Sequence, residues 1–301
     1  MPPRGSLRDW LLLLVLAALW GTAFLFIKIA VVELPPVTLA ATRIGIAAIV
    51  LTLAVYARGL RLPSELAVWR RYLLLGVVGN ALPFALISFG QTRVGSGVTG
   101  ILMAVMPLVT LVLAHFFVQN ERMVPGMLVG FLIGFAGLLA LSGPEALLQL
   151  AGQASLLPYQ GAILCGAVCY AVNTILTRRL ATLDPLVSSA TVMWAAAAVI
   201  TPIALGLDSP WRLRPSLGTI AATVWLGLAA TALATIVYFR VVSSAGAIFL
   251  SLMNYIIPVV ALAAGVAVFD EATPGTVLIG LALILGGLAV SRLSRGGAGT
   301  D

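Results

Sequence analysis

Ten apolar runs, each about 20 residues long, constrain the fold of this chain more than any other feature. A helix needs about 20 apolar residues to cross a hydrocarbon core, and the backbone there must satisfy its own hydrogen bonds, so each run has to be helical. The first run is too long and uninterrupted for a cleavable secretion signal and is expected to stay in the mature protein. We therefore predict an all-α integral membrane protein with ten transmembrane helices near residues 10–31, 36–57, 72–92, 95–118, 124–142, 157–177, 185–206, 217–239, 245–269 and 274–291.

The composition excludes a soluble protein, and the basic residues predict the topology. Hydrophobic residues make up 61% of the 301 residues and charged residues only 9%, whereas soluble domains carry about 25% charged residues. The net charge of +7 follows a positive-inside distribution, which predicts cytoplasmic N- and C-termini and argues against nucleic acid as a partner. Almost all the basic residues are Arg, with a single Lys, which indicates a GC-rich bacterial genome and therefore a bacterial inner membrane. One side of the predicted bundle carries Arg4, Arg8, Arg58, Arg61, Arg70, Arg71, Arg122, Arg178, Arg179, Arg240, Arg292 and Arg295, and the other carries Arg93, Arg212 and Arg214.

The chain repeats itself at an offset of 150 or 151 residues. The stretch GILMAVMPLVTLVLAHFFVQNE (100–121) matches LSLMNYIIPVVALAAGVAVFDE (250–271), each with a central proline and a terminal glutamate. Each half holds five predicted spans, and because five is odd the second half must enter the membrane from the opposite side. We predict two inverted five-helix repeats around a central cavity, at residues 1–142 and 157–301, joined by an extracytoplasmic linker at 143–156.

Several motifs together resemble one transporter family. They are Trp20-Gly21 with Lys28 on the same helix, Arg43 in the second span, the two proline-to-glutamate blocks, and the glycine-rich helix after each block. This set resembles the EamA type of the drug/metabolite transporter superfamily over the whole chain. The resemblance implies ten helices in two inverted halves, a cavity that opens alternately to each side, and export of small metabolites, including aromatic amino acids. The second half departs from the pattern because Met193 stands where the first has Arg43.

The prolines at mid-span predict helix kinks. A proline within a helix frees the carbonyl four residues earlier, so Pro107 frees that of Met103 and its repeat equivalent Pro258 frees that of Asn254. We also assign a kink to Pro83. Freed carbonyls facing a cavity would suit an ammonium group; the alternative is that the prolines only bend their helices.

Polar and aromatic residues recur on one face of several spans, and lipid cannot satisfy such polar groups. We predict that these faces line the substrate cavity, the alternative for each polar residue being a hydrogen bond between helices. Neutral amides, freed carbonyls and the Trp20 N–H would hold a zwitterion without charge in the wall. The predicted cavity residues are Trp20, Phe24, Asn80, Phe84, Ser88, Thr99, Met103, Tyr170, Asn173, Thr231, Thr235, Tyr238 and Asn254.

Charged residues at mid-span are scarce, which bears on the mechanism. No Asp or Glu falls at mid-span, and a carboxylate-based proton antiporter should carry one there, so facilitated transport is favoured. Arg43 is expected to have a structural role, binding a carbonyl or snorkelling, rather than substrate. His115 could titrate but is expected to pack near a helix end. Glu121 and Glu271 precede the next helices and are expected to stabilise their N-termini.

These observations predict an inner-membrane exporter of small zwitterionic or neutral metabolites, and aromatic or hydrophobic amino acids are the favoured substrates. The predicted mechanism is facilitative transport by alternating access. The alternatives are proton-coupled export of hydrophobic drugs or other metabolites and a channel-like permease. An enzyme is not expected, because there is one histidine and no interior carboxylate. We expect no cofactor and no metal site. The expected partners are the small-molecule substrate and the lipid bilayer, with the chain a monomer or weak dimer.

Overall fold

The structure is a computed structural model that describes residues 6–118, 123–151, 154–253, 256–257 and 275–297. The regular secondary structure of these residues is entirely helical, and they contain no strand. The helices are α1 (Leu7–Ala30), α2 (Pro36–Ala57), α3 (Leu66–Gly76), α4 (Leu82–Gln91), α5 (Ser96–Met103), α6 (Val105–Phe117), α7 (Pro125–Ala151), α8 (Leu157–Leu180), α9 (Pro185–Asp208), α10 (Leu217–Gly227), α11 (Ala234–Ala245), α12 (Ala247–Ser251) and α13 (Gly275–Gly297). Two π-helical segments, π1 (Val77–Ala81) and π2 (Leu228–Leu233), join α3 to α4 and α10 to α11.

Seven helical stretches in the described residues are long and apolar enough to cross a membrane, and two shorter apolar helices lie at Pro125–Leu141 and Ile279–Ser291. The expected all-helical membrane fold is confirmed. The predicted count of ten stays a prediction, because most of the ninth expected span, 245–269, lies outside the described residues. The seven long stretches are Leu7–Ala30, Pro36–Ala57, Leu66–Gln91, Val98–Phe117, Ala154–Leu180, Pro185–Asp208 and Leu217–Ala245.

The two π segments occupy corresponding positions, 151 residues apart. Each follows a glycine that packs tightly on a helix of the other half. A Cβ on Gly76 would lie 2.8 Å from the backbone nitrogen of Ala196 in α9, and a Cβ on Gly227 would lie 2.7 Å from the Ile46 side chain in α2. The third and eighth spans therefore share both an irregular segment and a packing contact.

Helices α2 and α9, which correspond in the sequence repeat, pack against each other in antiparallel orientation. Near one end, the Asp208 carboxylate accepts hydrogen bonds from the Thr38 backbone N–H at 3.0 Å and the Thr38 hydroxyl at 2.7 Å. Nearer the other end, Trp194 donates its indole N–H to the Thr52 hydroxyl at 2.8 Å. The contact order along one helix is reversed along the other, so the helices run in opposite directions.

Helices α7 and α13, also repeat equivalents, meet through glycine backbones. A Cβ on Gly130 would lie 2.6 Å from the Gly287 carbonyl, and a Cβ on Gly137 would lie 2.7 Å from the Gly280 carbonyl. The pairing order is again reversed, so this pair is also antiparallel. Small residues allow this close approach of backbones in membrane helices.

Two local features differ from the sequence expectation. The predicted linker at 143–156 begins inside α7, which continues to Ala151, and it ends in a short 3₁₀ turn at Ala154–Leu156. The fourth span breaks at Ala104, between α5 and α6, so Pro107 lies in the first turn of α6. Proline fits a first turn because its missing N–H has no partner to lose there.

The remaining spans surround the centre of the bundle. Helix α1 packs on α10 and α11, whereas α8 contacts α4, α5 and α6, and α12 lies against α6 and α11. Every one of these pairs, apart from α11 with α12, joins a helix of the first half to one of the second. The space between them holds the cavity.

Candidate functional site

Two adjoining chambers occupy the centre of the bundle. The Arg43 chamber and the space open to it hold about 490 Å³ not filled by atoms, and the Asn173 chamber with its open space holds about 400 Å³. The Arg43 chamber is lined by Trp20, Ala23, Phe24, Ile27, Arg43, Phe84, Ile87, Met103, Met106, Tyr170, Met253 and Ile257. The Asn173 chamber is lined by Trp20, Gly79, Asn80, Phe84, Tyr170, Asn173, Val192, Ala230, Thr235, Tyr238 and Phe239.

Three aromatic side chains, Trp20, Phe84 and Tyr170, line both chambers and form a layer between them. The Trp20 and Tyr170 rings are stacked, with centroids 6.1 Å apart and an interplanar angle of 18°. Phe84 meets Tyr170 edge-on, with centroids 6.4 Å apart. These separations are within the range of favourable aromatic pairs, so the layer is a packed element contributed by both halves.

The two chambers lie toward opposite ends of the bundle. The Asp9 carboxylate near the start of α1 accepts a hydrogen bond from Ser244 at 2.6 Å, so the start of α1 lies beside the end of α11. Tyr238 in α11 lines the Asn173 chamber, which therefore faces that end. Phe24 and Ile27, in the second half of α1, line the Arg43 chamber, which faces the other end.

The Trp20 indole is held by the π2 segment. Its N–H donates to the Ala230 carbonyl at 3.0 Å. A π-helix shifts its hydrogen bonds to the fifth residue along and is frequent at functional sites. We expected the Trp20 N–H to be available to a substrate, but the structure uses it to anchor the ring instead. The part of Trp20 that remains available to a ligand is its face.

A hydrogen-bonded chain of polar side chains crosses the Asn173 chamber. Asn173 donates its amide N–H to the Tyr238 hydroxyl at 3.0 Å, and Tyr238 donates to the Thr177 hydroxyl at 3.2 Å. The Asn173 carbonyl oxygen is buried and has no hydrogen-bond partner within the described residues. Asn80 of π1 lines the same chamber. This chamber can therefore accept a donor from a ligand.

Arg43 is placed differently from the expectation of a carbonyl anchor or a snorkelling side chain. It is 2% exposed and lines the chamber named after it. Its Nε donates to the Thr231 hydroxyl at 2.9 Å, and its guanidinium carbon lies 3.9 Å from the centroid of the Phe84 ring. We expected a neutral wall, but the wall of this chamber carries one cation, the Arg43 guanidinium.

Nine of the predicted cavity residues line a chamber in the structure. Ser88, Thr99 and Thr231 are buried but line neither chamber; Thr99 donates to the Gly95 carbonyl, and Thr231 reaches the cavity only through Arg43. The nine lining residues are Trp20, Phe24, Asn80, Phe84, Met103, Tyr170, Asn173, Thr235 and Tyr238. Asn254, Pro258, Glu121 and Glu271 lie outside the described residues.

Sequence reasoning missed several apolar wall residues. It selected polar and aromatic positions on each helical face, so Ile27, Ile87 and Met253 carried no distinguishing feature. Pro107 and Pro83 are both buried, and Pro83 is the second residue after π1. His115 accepts a hydrogen bond from the Met123 backbone N–H at 3.1 Å and lines neither chamber.

Comparison with known families identifies the class of protein. The model of the EamA-like transporter family matches residues 8–143 and again residues 158–293. The chain belongs to the EamA-like transporter family. This EamA-like protein is thus a member of a transporter family rather than of an enzyme family, and its apolar helices place it in a membrane.

Curated relatives of this EamA-like protein match over nearly its whole length. An "uncharacterized transporter" of Archaeoglobus fulgidus is 25% identical, covering 94% of this chain and 98% of that protein. A "probable terminal-alkyne amino-acid exporter" of Streptantibioticus cattleyicolor is 26% identical, covering 95% and 94%. The "uncharacterized inner membrane transporter YedA" of Escherichia coli K12 is 25% identical, covering 94% and 90%.

A solved crystal structure shares the fold of this EamA-like protein. The two superpose with a TM-score of 0.76 at 24% sequence identity, covering 95% of this chain and 98% of the other. At this identity the likeness extends to the fold alone.

Proposed function

We propose that this chain exports small zwitterionic or neutral metabolites, amino acids with aromatic or hydrophobic side chains foremost, across a bacterial inner membrane. The observation that carries the proposal is the pair of chambers separated by the layer of Trp20, Phe84 and Tyr170. A layer that closes the passage between two chambers suits a carrier that binds its substrate, whereas a channel needs a continuous polar lining.

The chemistry of the walls supports the substrate class. The Arg43 chamber offers aromatic faces and the methionines Met103, Met106 and Met253. Burying a large apolar group of the substrate against them would favour binding by about 1.5–3 kcal/mol. The Asn173 amide and neighbouring hydroxyls could hold a polar backbone. The relative from Streptantibioticus cattleyicolor, described as an amino-acid exporter, points to the same class.

Alternating access between two inverted five-helix halves is the mechanism that we propose. Its support is the antiparallel packing of repeat-equivalent helices, α2 on α9 and α7 on α13. Such packing is expected when two halves are related by an axis in the membrane plane. The cavity lies between the halves, so rocking of one against the other would expose it to each side in turn.

We propose that transport is facilitative. Among the described residues, no carboxylate and no histidine lines either chamber. Proton-coupled carriers place such groups along the pathway. We further propose ten membrane spans, both termini in the cytoplasm, and a monomer or weak dimer as the working unit.

Counterflow in proteoliposomes tests the proposal. Vesicles loaded with unlabelled phenylalanine should accumulate external labelled phenylalanine in a saturable manner, with other hydrophobic amino acids competing. The rate should not change when a pH gradient is applied. No exchange of any amino acid would reject the substrate class, and a strong dependence on the gradient would reject the facilitative mechanism.

A further inference from the structure

Arg43 is the one charged side chain among the described residues that line the two chambers. It lies in α2, seven residues beyond Pro36 at the start of the helix, and is 2% exposed. Charged groups inside a membrane bundle are unfavourable unless they are paired. The question is therefore what balances this guanidinium.

Its protein contacts are neutral. The Nε–H donates to the Thr231 hydroxyl at 2.9 Å, and Thr231 in turn donates its own proton to the Leu226 carbonyl at 2.7 Å. One face of the guanidinium lies over the Phe84 ring at 3.9 Å. These contacts orient the group, and within the part of the chain that the structure describes they supply no counter-charge.

The carboxylates of the described residues are engaged or placed elsewhere. Asp9 is bound by Ser6 and Ser244 near the start of α1, and Asp208 is bound by Thr38 near the start of α2. The other carboxylates whose side chains the structure describes, at helix ends or in loops, are Glu33, Glu65 and Asp184. None of them lines either chamber.

The stacking on Phe84 determines which part of Arg43 stays available. The ring occupies one side of the guanidinium, with its centroid 3.9 Å from Cζ, which leaves the terminal N–H groups to bond elsewhere. Within the described residues Arg43 makes a single hydrogen bond, through Nε. A planar fork of N–H donors matches a carboxylate in two parallel hydrogen bonds.

We propose that Arg43 binds the carboxylate of the transported substrate. The inference rests on the proposed function and narrows its substrate class to molecules with one carboxylate and an apolar substituent. The substituent packs against Phe24 and the methionines of the same chamber. Amines without a carboxylate are excluded, because they would bring a second positive charge next to Arg43.

Competition for transport tests this selectivity. Counterflow of labelled phenylalanine is measured against 3-phenylpropionate, which lacks the amine, and phenethylamine, which lacks the carboxylate. In the wild type, 3-phenylpropionate should compete at least about tenfold better than phenethylamine, the ratio expected for loss of one strong polar contact. Arg43→Gln should abolish that preference, and the exposed Arg212→Gln should keep it. Equal competition in the wild type, or a preference that survives in Arg43→Gln, would overturn the proposal.

Thermal unfolding of the purified protein provides a second, independent readout. Ligands that bind only the folded state raise the unfolding temperature. 3-Phenylpropionate should do so in the wild type, 3-phenylpropanol should not, and Arg43→Gln should lose the shift. Without ligand, Arg43→Gln should unfold at or above the wild-type temperature, because an unpaired buried charge has been removed. A lower unfolding temperature with the ligand shift retained would mean that Arg43 is a structural anchor.

The two measurements separate this inference from the proposed function. If no amino acid is exchanged but 3-phenylpropionate stabilises the wild type and not Arg43→Gln, the proposed amino-acid substrate class fails and the carboxylate site stands. If phenylalanine is exchanged but no carboxylate-dependent preference or stabilisation is found, the carboxylate site fails and the amino-acid substrate class stands.

Discussion

At the scale of single residues, Gly79 determines how closely the third and sixth spans approach each other. A Cβ at this position would overlap the side-chain amide of Asn173. The same amide donates to the Tyr238 hydroxyl and lines the chamber beside the aromatic layer. Hydrogen-bonding groups in this chamber therefore keep their places because residue 79 has no side chain.

We expect Gly79→Ala to displace the Asn173 amide and break its hydrogen bond to Tyr238, with a several-fold loss of phenylalanine counterflow, since a lost buried hydrogen bond costs about 1–3 kcal/mol. The matched control is Gly100→Ala in α5, where no atom lies within 4 Å of the added Cβ. Initial counterflow rates of the two variants are compared at equal protein density. Equal rates would remove Asn173 from the functional site.

We expect Trp20→Ala to weaken binding of phenylalanine more than binding of alanine. The Trp20 ring stacks on Tyr170 and offers its face to both chambers, and an aromatic pair contributes roughly 0.5–1.5 kcal/mol beyond burial. Half-saturation concentrations in counterflow measure the difference. Trp211→Ala, at a tryptophan that is 67% exposed, serves as the control. An equal loss for both amino acids would contradict a stacking role.

The sequence located individual cavity residues where polarity or aromaticity distinguished them. Helical spacing from Asn80 to Phe84 predicted the correct face of the third span. It then favoured Ser88, whereas the apolar Ile87 lines the chamber and Ser88 is fully buried elsewhere. Neighbouring positions on one helical face differ too little in direction for the pattern to separate them. The position of Arg43 in the chamber wall was not predictable either. Its side chain is held by Thr231, which belongs to the other half of the chain, and helical spacing within one span does not reveal such a contact.

At the scale of secondary-structure elements, the contact between α7 and α13 depends on glycine. We expect Gly137→Ala to destabilise the protein, because its Cβ would lie 2.7 Å from the Gly280 carbonyl and from the Ile284 backbone nitrogen. Overpacking of this kind lowers the free energy of unfolding by about 1–3 kcal/mol. We expect a loss of this size here. The measurement is the thermal unfolding temperature in detergent.

The control for this contact is Gly286→Ala in α13, where the added Cβ meets no atom within 4 Å. An alanine there should be neutral or stabilise the helix by about 0.4–1 kcal/mol, because it restricts the unfolded chain. Identical unfolding temperatures for the Gly137 and Gly286 variants would mean that the two helices separate easily at this point.

The π segments are elements that the sequence did not predict. Pro83 is the second residue after π1, but its repeat equivalent beside π2 is Ala234, so proline is not their common cause. What they share is the preceding glycine, Gly76 or Gly227, packed against a helix of the opposite half. A tertiary contact of this kind leaves no local pattern in the sequence. A prediction of helix irregularities from proline alone could therefore not include π2.

At the scale of the whole molecule, α1 is joined at both ends to the long eighth span of the second half. Asp9 near its start accepts a hydrogen bond from Ser244. Glu33, just beyond its end, accepts one from the Ser216 backbone N–H at 2.7 Å. These two contacts lie at opposite ends of the bundle, so a rocking motion between the halves would strain at least one of them.

The Glu33 contact predicts a pH dependence of stability. The Ser216 backbone N–H, and then the Thr219 and Ser216 hydroxyls, hold the pKa of Glu33 below its ordinary value, which is about 4.3. A carboxyl with a lowered folded-state pKa stabilises the folded protein above its unfolded-state pKa, and this contribution is lost as the pH falls through the folded-state value. Glu33→Gln should therefore unfold at a lower temperature than wild type at neutral pH, and the difference should shrink below about pH 4.

Unfolding temperatures measured from neutral to acidic pH check this expectation. Glu65→Gln is the control, because the Glu65 side chain makes no capping hydrogen bond at the start of α3. A Glu33→Gln curve parallel to wild type at every pH would show that the loop contact contributes nothing to stability.

The overall architecture was predictable from the sequence to a larger extent than its site. Long apolar runs require membrane helices wherever they occur, and the offset of about 150 residues predicted which helices are repeat equivalents. It did not predict that α2 packs on α9 or α7 on α13, because this packing depends on contacts such as Thr38 with Asp208. Such contacts join residues about 170 positions apart, and no local pattern encodes them.

The glycine contact between α7 and α13 has a consequence for how the chain can evolve. A side chain added at Gly130 would meet the Gly287 carbonyl, and one added at Gly287 would meet the Gly130 carbonyl. Neither position can accept a larger residue unless the opposite backbone has first withdrawn. Because each contact is with backbone and not with a side chain, no substitution at one site makes room at the other, and we expect both positions to stay glycine even where the rest of the two halves has diverged.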